Sequence, residues 1–215
     1  MNDVLSVASL SNLSPGRPKN KDVRSRTYLT LAEVNDLLAA IQSRGRHTER
    51  DYALALLMFR HGLRVSEAIA LRWDAVSFDD RKLSVNRVKN SLSGVHPLQP
   101  DEIEALRALR AKEYDARLLF VGERGGQLKR HAVGKILERA GELAELPLKI
   151  HPHMLRHSCG YHLANQGIDT RLIQEWLGHK DIKNTVEYTR LNTERFNAIQ
   201  WGAIANGISS PRYID

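Results

Sequence analysis

The sequence predicts a mainly α-helical domain that carries one small antiparallel β-sheet, an α+β fold class. Apolar residues recur at three- and four-residue intervals through most of the chain, as they do on the buried face of a helix. Residues 83–88 change instead to the alternation of a strand, between a turn at residues 79–80 and a second turn at residues 90–94. The 215 residues are 42% hydrophobic and 27% charged, which allows a full-sized core and excludes a wholly disordered chain.

The first 27 residues are predicted to form a basic, flexible tail outside the domain. The stretch from Ser14 to Lys21 is rich in Pro, Gly and basic side chains and has no apolar period. Residues 28–205 are expected to form the domain itself. Residues 206–215 are expected to form a short C-terminal tail.

The first helix of the domain has a clear start signal. Thr30 precedes Glu33 by three residues, which is the spacing of a capping box, and apolar residues follow at helical intervals until Gly45. Further helices are predicted at Thr48 to His61, at Val65 to Leu71, from Pro100, and at Arg130 to Leu143.

The sheet and the C-terminal helices follow from the same patterns. Leu83, Val85 and Arg87 alternate with their neighbours as a strand does, and Val95 to Leu98 is the predicted returning strand after a turn. From Pro152 onward, glycines and one Leu-Asn pair divide the chain into four predicted helices, over residues 153–166, 170–177, 182–188 and 193–205.

Composition excludes several classes of protein. Cys159 is the one cysteine, so an internal disulfide framework and a cysteine-based zinc site are excluded. No apolar run approaches the roughly 20 residues that a membrane span needs, which favours a cytoplasmic protein without membrane contact. Lys and Arg number 32 against 25 Asp and Glu, giving a net charge of +7. This excess suits a polyanionic partner but does not specify one.

Familiar cofactor and hydrolase motifs are missing from the sequence. It has no glycine-rich loop followed by Lys-Ser or Lys-Thr, and no Gly-x-Ser-x-Gly elbow. Its histidines are more informative, since five of them fall within about thirty residues. His153 and His157 have the spacing of zinc ligands, but no glutamate lies between them and Arg156 would repel a dication. A metal site is disfavoured, and a hydrogen-bonded helix histidine is the more ordinary interpretation of His157.

Two arginines have settings that suit an anion. His153 and Arg156 lie three residues apart, so both project from one side of a predicted helix N-terminus and could clamp a phosphate. Arg64 lies at the break between two helices, and Glu67 three residues later could hold its guanidinium. A structural ion pair explains Arg64 and Glu67 equally well.

In combination these segments resemble the tyrosine recombinase, or phage integrase, family. The matching elements agree with the family in order and in spacing, and they are Gly62-Leu63-Arg64-Val65-Ser66-Glu67, His153-Met154-Leu155-Arg156-His157, Leu177-Gly178-His179 and Tyr188. The resemblance covers about residues 28–196 and implies the catalytic-domain fold of that family. It is nearest to the short fimbrial phase-switch recombinases, which consist of little more than this domain.

The resemblance also implies roles for individual residues. Arg64 and Arg156 would clamp the scissile phosphate, and His153 and His179 would complete the pocket. Tyr188 would be the nucleophile. Glu67 is expected to brace Arg64.

The family uses a lysine on the turn between two strands as well. Lys89 matches that position, with Lys82, Arg87 and His96 as nearby rivals.

The implied activity is site-specific recombination through a 3′-phosphotyrosyl link, without ATP, metal or cofactor. Its implied outcome is inversion of a promoter-bearing segment in fimbrial phase variation. The expected partners are double-stranded DNA with paired sites, a homotetramer of the chain on synapsed DNA, and an accessory DNA-bending protein, all in the bacterial nucleoid. Basic residues expected to contact DNA are Arg17, Lys19, Lys21, Arg24, Arg87, Lys129 and Arg130.

Three other functions remain open from the residues alone. A type IB topoisomerase shares the arginine, lysine and tyrosine chemistry but relaxes DNA without exchanging partners. A catalytically idle regulator could use the same fold and act by occupying DNA. A metal hydrolase built on the histidine cluster is the most distant alternative.

Overall fold

A computed structural model describes residues 26–87, 91–112 and 117–190 and confirms a helical domain with one small antiparallel sheet. Its helices are α1 (Leu31–Ser43), α2 (Thr48–Arg60), α3 (Val65–Ala68), α4 (Pro100–Lys112), α5 (Arg130–Leu143), α6 (Pro152–Asn165), α7 (Thr170–Leu177) and α8 (Lys183–Arg190). Its strands are β1 (Val76–Ser77), β2 (Lys82–Val85) and β3 (Gly94–Pro97), and a 3₁₀ turn at Trp73–Ala75 precedes β1. Residues 1–25 of the predicted N-terminal tail, the predicted C-terminal tail and the predicted helix at 193–205 lie outside the described residues.

The start of α1 is the capping box that the sequence predicts. The Glu33 backbone N–H donates to Thr30 Oγ1 at 3.3 Å, and the Thr30 backbone N–H donates to Glu33 Oε2 at 2.8 Å. Each side chain thereby satisfies a backbone donor that the helix itself cannot satisfy.

Helix α2 is the centre of the fold. Seven consecutive residues, Ala53 to Phe59, are buried, because α1, α4 and α6 pack around this helix. A helix that is apolar on most sides is stable only where neighbours cover it on most sides. The C-terminal end of α2 therefore has a fixed position, and the chain enters the candidate site directly from it.

The sheet has the order β1-β2-β3 with antiparallel pairing throughout. Leu83 of β2 lies opposite His96 of β3, and Val85 lies opposite Gly94. Leu83 and Val85 are buried while Lys82 and Ser84 are exposed, which is the predicted alternation. Strand β1 is not predicted from the sequence, because a strand of two residues is too short to show a period.

Several boundaries differ from the predicted ones, most of them by one or two residues. Helix α3 ends at Ala68 rather than at Leu71, because the chain tightens there into turns in which Leu71 donates its N–H to the Ala68 carbonyl. Leu118 forms an isolated bridge to Arg72. Among the described helices, none is long and apolar enough to cross a membrane.

We predict that Thr30→Ala lowers the free energy of unfolding by about 1 kcal/mol, because the Glu33 N–H loses its acceptor. Chemical denaturation followed by far-UV circular dichroism measures this change. Ser43→Ala, at the other end of α1, is the matched control and should change stability less. An unaltered unfolding midpoint in Thr30→Ala would contradict the prediction.

Candidate active site

The joint between α2 and α3 positions Arg64. Gly62 follows α2 with φ = +56°, a left-handed conformation that side chains disfavour, and a Cβ added there would overlap Cδ2 of Leu177. Arg64 then stands just before α3 with its side chain 28% exposed. Glu67 accepts from the Arg64 backbone N–H at 2.9 Å and from its Nη1 at 2.8 Å. The contact expected between Glu67 and Arg64 is therefore present.

Arg87 lies beneath the site and not on the surface, which corrects its expected role as a DNA contact. Its side chain is 1% exposed, and its Nη1 binds Glu67 Oε2 at 2.9 Å. The guanidinium also donates to three backbone carbonyls, those of His61 at 2.8 Å, Gly62 at 3.2 Å and Trp176 at 2.6 Å. With its donors directed at buried acceptors, Arg87 braces the site and cannot reach an external phosphate.

Arg156 enters the site from α6 and is also buried. Its Nη1 donates to the Gly62 carbonyl and its Nη2 to the Leu177 carbonyl, the latter at 2.8 Å. Burial, together with the charges of Arg64 and Arg87, lowers the pKa of Arg156 to about 10. The guanidinium remains charged at neutral pH. Three closely spaced cations make this region electrostatically suited to an anion.

His179 reaches the site from the end of α7. Gly178 has φ = +68°, and a Cβ there would lie 2.7 Å from the Leu92 carbonyl oxygen, so the connection after β2 packs against this glycine. His179 Nδ1 lies 2.8 Å from Thr185 Oγ1. Burial and the charges of Arg156 and the other arginines lower the pKa of His179 to about 4. The imidazole is therefore neutral near pH 7 and can share a hydrogen bond with a ligand.

Tyr188 on α8 is 2% exposed and packs into a cage of side chains. Its ring meets that of Tyr161 edge to face at 5.0 Å and stacks on that of His179 at 6.3 Å between centroids. A Cβ on Gly160 would lie 2.7 Å from the Tyr188 ring, so the ring occupies the place of a side chain. Burial and the nearby Glu187 carboxylate raise the pKa of Tyr188, although the charge of Arg156 opposes them.

The structure thus brings together four of the six predicted catalytic side chains, Arg64, Arg156, His179 and Tyr188. His153 lies in the first turn of α6, three residues before Arg156, with its side chain exposed. Lys89 lies outside the described residues. The segment after it returns to the site, since Arg64 Nη1 donates to Ser91 Oγ at 3.2 Å.

Two rivals of Lys89, Lys82 and His96, lie on strands of the described sheet. Lys82 pairs with Pro97 at the end of the hairpin farthest from its turn. His96 is buried, and burial together with the charges of His61 and Arg87 lowers its pKa to about 3.

The candidate DNA contacts fall into two groups besides Arg87. Lys129 and Arg130 are exposed where α5 begins. The remaining four lie outside the described residues, and they are Arg17, Lys19, Lys21 and Arg24.

Four contacts at the site are not evident from the sequence. His157 Nδ1 lies 3.1 Å from Tyr188 Oη. Tyr161, four residues after His157 on the same face of α6, packs on the Tyr188 ring and stacks on Tyr28 at 3.8 Å. The Leu29 N–H donates to Ser158 Oγ at 2.7 Å. The segment preceding α1 is therefore attached to α6, the helix against which Tyr188 packs.

Comparison with known proteins identifies relatives along most of the chain. Residues 27–195 match the model of the Phage integrase family. The chain is 42% identical to the type 1 fimbriae regulatory protein FimB of Escherichia coli (strain K12) over 187 residues, which covers 84% of this chain and 93% of FimB. It is 41% identical to FimE of the same strain, over 80% of this chain and 89% of FimE. It is 33% identical to the tyrosine recombinase XerC of Shewanella oneidensis, over 81% of this chain and 55% of XerC.

Solved structures share the fold. XerA recombinase superposes with a TM-score of 0.69 at 26% identity, covering 79% of this chain, which spans 62% of the XerA chain. XerH site-specific recombinase bound to its difH substrate superposes with a TM-score of 0.67 at 24% identity, covering 76% of this chain and 50% of XerH.

We predict that Glu67→Gln lowers the free energy of unfolding by about 3 kcal/mol, because Arg87 is left as a buried charge without its counterion. Burial opposes the ionisation of Glu67, but hydrogen bonds from Arg64 and Arg87 and the charge of Arg87 outweigh it, so the pKa of Glu67 is lowered. The stabilisation should thus be complete above pH 4.5, the ordinary pKa of the group, and be lost as the pH falls through the lowered value.

Urea denaturation of wild type and Glu67→Gln between pH 3 and 7 measures this difference. Glu123→Gln, which changes an exposed glutamate, is the control and should behave as wild type. Equal stability of Glu67→Gln and wild type at pH 7 would show that the buried pair contributes nothing.

Proposed function

The chain belongs to the phage integrase family of tyrosine recombinases, and we propose that Tyr188 cuts DNA at specific sites and rejoins the ends to new partners through a 3′-phosphotyrosyl link. One observation carries this assignment of residues. Arg64, Arg156 and His179 converge on Tyr188, although these four residues come from separate segments of the fold.

The arginines answer the first difficulty of attacking a phosphodiester, which is its negative charge. Arg64 and Arg156 are permanently cationic, and planar guanidiniums bind phosphate oxygens through paired hydrogen bonds. Their interaction strengthens as charge accumulates in the transition state. Because the Gly62 and Leu177 carbonyls hold Arg156 in place, its guanidinium needs little reorganisation when DNA binds.

The second difficulty is the poor leaving group. Tyr188 Oη would attack the phosphorus while the bond to the 5′-oxygen breaks, and Lys89 would protonate that departing oxygen. Support for Lys89 comes from its neighbours in the sequence, since Arg87 binds Glu67 and Ser91 contacts Arg64. His153 and His179 would hydrogen-bond the phosphate. The tyrosyl link conserves the energy of the broken bond, so rejoining requires no ATP.

The biological role follows from the relatives. FimB and FimE are type 1 fimbriae regulatory proteins by name and align over nearly their whole length with this chain. This chain would invert a promoter-bearing DNA segment between paired sites and thereby switch fimbrial expression. It would act in the nucleoid as a homotetramer on synapsed DNA, assisted by a DNA-bending protein. The exposed Lys129 and Arg130 and the basic N-terminal residues would contact the DNA backbone.

We predict that the wild-type protein forms covalent adducts with DNA taken from around its own gene, in EDTA and without ATP. Tyr188→Phe should bind the same DNA and form no adduct, because it lacks the attacking oxygen. Denaturing gel electrophoresis of labelled DNA detects the adducts. Tyr52→Phe removes a hydroxyl whose charged neighbours, Asp101, Arg60 and Glu104, are not residues of the site, and it should leave adduct formation intact.

Adducts from Tyr188→Phe would refute the assignment of the nucleophile. DNA binding without adducts from any of these proteins would favour a regulator that acts by occupancy. Relaxation of supercoiled DNA without any requirement for paired sites would favour a topoisomerase.

We further predict that Arg64→Lys and Arg156→Lys each slow adduct formation by about 100-fold or more, because an ammonium cannot reproduce the paired donors of a guanidinium. Cys159→Ser, a buried change beside Arg156, should retain most of the activity. Single-turnover kinetics with saturating protein measures these rates. Wild-type rates in both arginine variants would exclude them from the phosphate site.

A further inference from the structure

The hydroxyl that is proposed to attack the phosphate is hydrogen-bonded to a histidine that has no catalytic role in the assignments above. Tyr188 Oη lies 3.1 Å from Nδ1 of His157, and the two ring centroids lie 5.9 Å apart. His157 extends from α6 immediately after Arg156, so the helix that holds a phosphate-binding arginine also brings an imidazole to the nucleophile.

We propose that His157 is a catalytic base, which accepts the phenolic proton of Tyr188 when its oxygen attacks the phosphorus. This inference rests on the proposed function, since it takes Tyr188 as the nucleophile. The contact joins the accepting nitrogen directly to the reacting oxygen, so the transfer needs no intervening group.

Tyr188 requires such an acceptor because its environment keeps the phenol protonated. Burial and Glu187 raise the pKa of Tyr188, and the charge of Arg156 does not reverse this. A neutral phenol that bonds to phosphorus must lose its proton as the bond forms.

The arginines that surround the site cannot take this proton, because a charged guanidinium has no lone pair. His179 lies against the face of the Tyr188 ring, and its Nδ1 is engaged with Thr185. The acceptors that the structure places beside the hydroxyl are His157, at 3.1 Å, and the Glu187 carboxylate.

The surroundings of His157 favour its neutral form. Burial lowers the pKa of His157 from its ordinary value of 6.5, and nearby cationic groups add to this effect, while Glu187 opposes it. The titratable and charged groups that face it are Glu187 and Tyr188 from α8, His153 and Arg156 from α6, and His151 just before α6. Its side chain is 33% exposed, so a proton that it accepts can exchange with solvent.

The step balances without any further reactant. The O–H bond of Tyr188 breaks as the bond from Oη to phosphorus forms, and the proton moves to Nδ1 of His157. The bond from phosphorus to the 5′-oxygen breaks, and that oxygen leaves with the electron pair and takes a proton from Lys89. Glu187 Oε1, 3.7 Å from Nδ1, stabilises the imidazolium. On rejoining, His157 returns the proton to Tyr188.

The test measures single-turnover adduct formation between pH 5 and 9 on a supercoiled plasmid that carries the DNA flanking the gene. In the wild type, the rate should fall as the pH drops through a pKa below 6.5, since only neutral His157 accepts a proton. His157→Gln should bind the plasmid normally, react about 100-fold more slowly, and lose this acidic limb of the profile. His162→Gln, on the same helix, is the control and should match the wild type.

Two further variants separate the base from a structural role and from Glu187. In His157→Ala, added imidazole should restore adduct formation, whereas it should not rescue Tyr188→Phe. Glu187→Gln should keep the acidic limb and shift it to lower pH, because Glu187 raises the pKa of His157.

A wild-type rate and profile in His157→Gln would overturn the proposed base. Loss of the acidic limb in Glu187→Gln alone would overturn it too and assign that role to the carboxylate. In both cases wild-type adducts that depend on Tyr188 would leave the proposed function intact. The absence of adducts from the wild type itself would refute both proposals together.

Discussion

The arrangement of the site depends on one buried ion pair, between Glu67 and Arg87. A charge buried at 1% exposure is tolerated only where its partners are complete, and Arg87 meets this condition with one carboxylate and three carbonyls. Those acceptors belong to the end of α2, to α3 and to the end of α7, so one guanidinium joins three segments. Glu67 uses its second oxygen to hold Arg64. Arg87 does not face the anion site, but it helps to position both arginines that do. It binds Glu67, which holds Arg64, and it binds the Gly62 carbonyl, which holds Arg156.

Local patterns were enough to predict most of the fold. The capping box at Thr30 and the bounds of α5 and α7 depend on neighbours within a few residues, and the structure confirms them. Arg87 illustrates the limit. Its alternation with Leu83 and Val85 already indicates the buried face of a strand, but its partner Glu67 lies twenty residues away on another element. A one-dimensional pattern contains no information on such a pairing, so the charge suggested a surface contact.

For the candidate site, too, one part could be predicted from the sequence and another part could not. The resemblance of its motifs to those of the tyrosine recombinases was enough to predict that Arg64, Arg156, His179 and Tyr188 converge. The environment of the nucleophile was not predictable. Helical spacing indicates that His157 and Tyr161 share a face, yet only the packing of α8 against α6 brings Tyr188 onto it. That packing also raises the pKa of Tyr188, since it buries the hydroxyl that the cations alone would activate.

Three glycines connect the motifs to one another. A side chain on Gly62 would collide with Leu177, and one on Gly160 would collide with the Tyr188 ring. A side chain on Gly178 would collide with the Leu92 carbonyl. Each of these positions therefore requires glycine because a residue from another segment fills the space beside it. In evolutionary terms the segments cannot diverge independently, because a larger residue at any of these glycines requires a compensating change elsewhere in the chain. Chimaeras that exchange a single segment between relatives would inherit half of each contact, whereas exchanges that carry both partners would preserve it.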